Sequence, residues 1–168
     1  MGVETLKDSQ IKDNVRRYRE HGVITGGPFS LAELLQEQNR RSKQGVFGTV
    51  ETASKIIALS RTSESGLITY GDLWKALKPD QPWSAHKSLS EVTNALERVG
   101  FYCVRHRLPL IISLVVNSGK GELTEQAKNN IYDTWRERGI DVGSDRDGFI
   151  ADHQARSRQL TQADLPEQ

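Results

Sequence analysis

The sequence predicts a mainly α-helical protein with a small β-sheet, built on a winged helix-turn-helix core with flanking helices. Three observations between Gly66 and Leu123 carry that expectation. A short β-prone run, Leu67-Ile68-Thr69, feeds an amphipathic segment with Leu73, Trp74 and Leu77 at helical spacing. A longer amphipathic segment follows, in which Leu89, Val92, Leu96, Val99 and Cys103 recur at alternating spacings of three and four, so that they share one face. The third is the β-branched run from Ile111 to Asn117, ending in Ser118-Gly119-Lys120-Gly121, which reads as a buried strand and a tight turn.

In chain order, residues 1–9 form a loose end. Ile11 to His21, with Ile11, Val15 and Tyr18 on one side, predicts a helix closed at Gly22. Thr25-Gly26-Gly27-Pro28 is a turn, and Ser30 caps a helix carrying Leu31, Leu34 and Leu35. That helix leaves through Arg40-Arg41-Ser42-Lys43, a basic run that complements the helix dipole. Thr49 caps a helix through Val50, Ala53, Ile56, Ile57 and Leu59, followed by the polar linker Arg61 to Ser65. With this helix as the first, the order helix, strand, helix, long helix, strand, turn is that of a winged helix.

Lys78-Pro79-Asp80-Gln81-Pro82 stops the short helix, because proline lacks the amide donor and clashes with the preceding turn. Ser88-Leu89-Ser90-Glu91 fits a capping box for the long helix, which runs to about Arg105 with Pro109 beyond its end. Gly100 costs about 1 kcal/mol relative to alanine inside a helix, yet the apolar stripe keeps its phase across it. Thr124 caps a helix with Ala127, Ile131 and Trp135, closed by Gly139; Val142 to Gly148 is a turn region, and Phe149 to Leu160 a last helix. Thr161 to Gln168 has nothing to hold it and is expected to be disordered. The organisation is thus a helical extension (1–46), a winged-helix domain (47–123), C-terminal helices (124–160) and a tail (161–168).

Among 168 residues, 23 Lys and Arg stand against 22 Asp and Glu, so the net charge of +1 announces no general polyanion binder and any such argument must be local. Apolar residues at 36% beside 27% charged ones point to exposed helices. The amino terminus lacks the apolar core of a signal peptide and no run approaches a membrane span, so a cytoplasmic location without membrane contact is expected. A single cysteine excludes an internal disulfide and a cysteine-rich zinc site.

The residues that point to chemistry lie on the long helix and around it. Tyr70, Ser84, His86, Lys87, Ser88, Asn94, Arg98, Arg105, Arg107 and Lys120 are the candidate nucleic-acid contacts, with Ser84 to Arg107 as the groove-facing helix and Ser118 to Gly121 as the wing tip. Glu91 and Glu97 oppose them in the same helix. Trp74 and Trp135, at helical spacing, belong to the core; Trp83, between Pro82 and Ser84, is exposed and free to stack. Cys103 lies in phase with the apolar face and packs there rather than reacting. Gly143 to Gly148 fails as a calcium loop, because Gly143 takes the first ligand position and Gln154 the place of the bidentate glutamate. The histidines lack metal spacing, and no catalytic residue, metal or cofactor is nominated.

Three short runs carry a resemblance: Ile68-Thr69-Tyr70-Gly71-Asp72-Leu73, then Val92-Thr93-Asn94-Ala95-Leu96, then Leu108-Pro109-Leu110-Ile111-Ile112 with Val115-Val116. They resemble the carboxy-terminal domain of the alkylguanine-DNA alkyltransferases and alkyltransferase-like proteins over about a third of the chain. Where that family has Pro-Cys-His-Arg before its paired valines, this chain has Ser113-Leu114, so the resemblance implies a fold and DNA contact but no alkyl transfer. A looser similarity, including Tyr102-Cys103, is to small winged-helix-like domains of bacterial and phage proteins. The expected function is non-enzymatic binding or regulation of DNA. The alternative is a protein-interaction module, such as a phage or mobile-element inhibitor or regulator of a bacterial nucleic-acid machine, with the flanking helices available for a protein partner or a homodimer.

Overall fold

Side-chain caps mark where four of the described helices begin. The computed structural model describes residues 1–42, 45–116 and 123–167. Helix α1 (Asp8–His21) buries Ile11, Val15 and Tyr18 and ends at Gly22, whose φ of 65° is the left-handed conformation glycine adopts without strain. Helix α2 (Leu31–Arg41) opens on a reciprocal cap: the Glu33 amide donates to the Ser30 hydroxyl at 3.2 Å, and the Ser30 amide donates to the Glu33 carboxylate at 2.7 Å. Helix α3 (Thr49–Thr62) starts one residue earlier than expected. Gly48 takes the cap position and Thr49 is buried in the first turn.

Strand β1 (Ile68–Thr69) runs directly into helix α4 (Tyr70–Leu77), where Thr69 and Asp72 cap each other. Helix α5 (Lys87–His106) follows, then a 3-10 turn over Ile111–Leu114 and strand β2 (Val115–Val116). Helix α6 (Glu125–Glu137) is capped by Thr124, and helix α7 (Arg146–Gln159) by the Asp145 carboxylate, which accepts from the Gly148 amide at 3.0 Å. The protein is therefore mainly helical with a small sheet.

That sheet differs from the expected one. β1 pairs with β2 in parallel, Ile68 opposite Val115 and Thr69 opposite Val116. The strand expected over Ile111 to Asn117 is reduced to Val115 and Val116, because β1 offers only two residues to pair with. Ile111 and Leu114 instead fill the core from the 3-10 turn, fully buried beside Leu110. Asn117 and the expected wing tip, Ser118 to Gly121 with Lys120, lie outside the described residues, as does Lys43.

α5 packs on α3, α4 and the Ile111–Leu114 turn, while α7 covers that turn and α3 and itself carries α6. On α5, Val92, Ala95, Leu96, Val99 and Cys103 are buried as their spacing requires. Two expectations for its first turn fail. The helix starts at Lys87, so Ser88 is no cap; it is fully buried and its hydroxyl accepts from the Ser84 amide at 2.8 Å. Leu89, at the edge of the apolar stripe, is 39% exposed although its neighbour Ser88 is fully buried.

Both chain ends are anchored, against expectation. The Arg41 guanidinium donates to the carbonyls of Leu6 at 2.7 Å and Glu4 at 2.9 Å, holding a 3-10 turn over Val3–Thr5 against α2. At the other end Leu165 is buried, and the Tyr102 hydroxyl donates to the Pro166 carbonyl. Helix α7 also begins three residues before the expected Phe149, because the Asp145 cap ends the turn region early.

Gly100 owes its identity to Trp135. A Cβ at that position would stand 1.8 Å from the indole Cη2, so the missing side chain is the space the α6 ring occupies. Gly100→Ala should therefore destabilise the protein by about 1–3 kcal/mol through overpacking, despite the gain of about 1 kcal/mol in helix propensity. Urea unfolding followed by tryptophan fluorescence measures the sign.

Candidate nucleic-acid interface

The core face of α5 leaves a polar stripe on its outside. Lys87, Asn94, Arg98 and Arg105 are separated by seven, four and seven residues, so at 3.6 residues per turn they stack along one line. Arg98 and Arg105 of this line lie against the connection between α2 and α3. The Arg98 Nη2 donates to the Phe47 carbonyl at 2.8 Å, and the Phe47 ring is buried edge-on against Trp74 at 5.8 Å between centroids. Gly45 lets the backbone pass under the guanidinium: a Cβ there would meet the Arg98 Nη1 at 2.3 Å and the Asn94 Oδ1 at 2.5 Å.

A polar hollow of about 390 Å³ results, bounded by the end of α2, the Gly45–Gly48 loop and α5, with Asn39, Arg40, Ser42, Thr49, Arg98 and Arg105 among its walls. Arg40 is committed to Glu37, with two hydrogen bonds of 2.7 Å. That pairing, aided by Arg41, holds the largely buried Glu37 carboxyl down at about 2. Arg98 and Arg105 have no carboxylate within salt-bridge distance among the described residues. Arg98 is half-buried with its Nε–H lacking an acceptor, and burial lowers its pKa because nothing nearby offsets the lost hydration.

The other expected contacts divide. Ser84, His86 and Lys87 are exposed at the amino end of α5, with Trp83 43% exposed next to them and edge-on against Trp74 at 6.2 Å. Arg107 is exposed just past the carboxyl end, in a left-handed conformation with φ of 54°. Ser88 is withdrawn from the interface by its burial. Tyr70 lines a separate apolar groove with Leu96, Ile112 and Trp135, where burial raises its pKa, so it does not join the arginine hollow. Of the opposing acids, Glu97 is taken by Arg138 at 3.0 Å, which stacks over the Phe101 and Trp135 rings. Glu91 remains, partly buried beside the stripe. Gly45, Phe47 and Asn39 were not foreseen; the one sequence signal was a lone aromatic between Val46 and Gly48, able to pin a polar loop.

Cys103 is fully buried and burial pushes its thiol up to about 12, so it stays protonated as packing requires. Ser113 and Leu114 are buried as well. Glu125 and Asp147 hold Arg146, and no group of three or more His, Cys, Asp or Glu is placed to bind a metal among the described residues. Nor is any described helix long and apolar enough to cross a membrane. No family model, curated protein or solved structure matches this chain.

His153 shows a second titration tied to folding, beside that of Glu37. It is buried on α7, where the Leu110 amide donates to its Nδ1 at 2.8 Å and Arg156 approaches its Nε2 at 3.2 Å. Burial first, then the Arg156 charge, lowers its pKa to about 4, while Asp152 pulls weakly the other way. The unfolded state therefore binds the extra proton between about pH 6.5 and 4. Stability should be complete above pH 6.5 and fall by on the order of 2 kcal/mol as pH drops toward 4. Urea midpoints measured across that range for the protein and for His153→Gln should show the slope flattened in the variant.

Proposed function

We propose that the protein binds DNA without catalysing a reaction, using the outer stripe and both ends of α5. The observation that carries this is the presence of two arginines, Arg98 and Arg105, with no carboxylate partner among the described residues, together with exposed Ser84, His86, Lys87 and Asn94 on α5 or just before it, in a chain whose total charge is only +1. A concave, polar, positive surface gathers phosphates even when the whole molecule is near neutral. The alkyltransferase-like winged-helix architecture is part of the same proposal. It is supported by the parallel pairing of Ile68-Thr69 with Val115-Val116, which makes neighbours of two of the runs that carry the resemblance. The proposal carries with it a cytoplasmic location.

A second reading, a module that docks on a protein partner or on a second copy, is favoured by the exposure of Trp83 and Leu89 at the same end of α5. It covers the regulator of a bacterial nucleic-acid machine raised by the sequence. Anisotropy titration of duplex DNA separates the two. Contacts from Lys87, Arg98, Arg105 and Arg107 should give a log–log salt slope of about −3 to −4, and Arg105→Ala should reduce it by about 1. No binding at low salt, or binding indifferent to salt, favours the protein partner.

A further inference from the structure

Resting on the DNA-binding proposal, we infer that the hollow between α2, the Gly45–Gly48 loop and α5 receives a phosphomonoester, in this setting the phosphorylated end of a DNA strand. Charge is the first argument. Arg98 and Arg105 bring two positive charges that no carboxylate answers among the described residues, whereas a phosphodiester inside a strand carries one negative charge and a monoester nearly two at neutral pH. Hydrogen bonding is the second. A single protein acceptor, the Phe47 carbonyl, serves the Arg98 guanidinium, while an arginine fork matches the several oxygens of a terminal phosphate. Size is the third: the recess measures about 390 Å³ among the described residues, room for a terminal phosphate and the sugar that carries it.

The test compares two labelled duplexes, identical except for a 5′-phosphate or a 5′-hydroxyl, titrated with the full chain by anisotropy. The phosphorylated duplex should bind about tenfold more tightly at pH 7.5, and the ratio should shrink at pH 5.5 as the monoester gains a proton. Arg105→Ala should bring the ratio close to one, and Gly45→Ala, which displaces the Arg98 tip, should reduce it without removing either arginine. Equal affinity for both duplexes at both pH values overturns the phosphomonoester site while leaving DNA binding intact. Failure of both duplexes to bind overturns both proposals. Displacement of the phosphorylated duplex by a phosphoserine peptide at lower concentration than by the same phosphorylated strand overturns the assignment to a strand end.

Discussion

The packing of α5 against α3 and the Ile111–Leu114 turn is the constraint on which the rest depends. Twenty residues form this helix, and the half that carries Val92, Ala95, Leu96, Val99 and Cys103 is sealed. Burying each of these side chains contributes about 1–3 kcal/mol, so no rotation of the helix that exposed them could compete. The orientation of Lys87, Asn94, Arg98 and Arg105 therefore follows from aliphatic packing on the far side, and no favourable contact of their own is needed to aim them outward. What the arginines meet there is decided by Phe47, whose buried ring brings the Gly45–Gly48 backbone within reach of Arg98.

The same helix explains the chain beyond it. Trp135 occupies the notch left by Gly100, and Arg138 lies over that indole and the Phe101 ring while pairing with Glu97. Cation and ring contacts of this kind are individually worth about 1 kcal/mol at partly exposed sites. Their consequence for charge is larger, since Glu97 is turned toward α6 and away from Arg98. On α7, His153 caps the buried Leu110 amide, linking the last helix to the turn on which α5 rests.

Helices were legible because their signals are local. The α5 stripe from Val92 to Cys103, the Ser30 cap and the closure of α1 at Gly22 each need only a few neighbouring residues, and each occurs as expected. Ile111 to Val116 misled because β-branched residues suit any dry environment; whether they form a strand depends on a partner, and β1 supplies two residues. The anchored ends were invisible for the same reason. Arg41 looks like a helix-end charge until Glu4 and Leu6 are folded back on it, and Tyr102 looks like core until its hydroxyl finds Pro166. Within the candidate interface the arginines were recognisable by type. Ser88 was wrongly included because its hydroxyl turns inward, and the hollow itself is made of residues more than fifty positions apart.

On the proposed function, the outside of α5 is the nucleic-acid-binding face. Amide chemical shifts of the isotope-labelled full chain, followed while a short duplex is added at low salt, test it most directly. Shift changes should gather at Gly45–Thr49, at 84–98 and at 105–107, leaving the residues around Tyr18 and Phe29 unmoved. Changes confined to α1 and α2, or none at all while the spectrum stays that of a folded protein, would contradict the account.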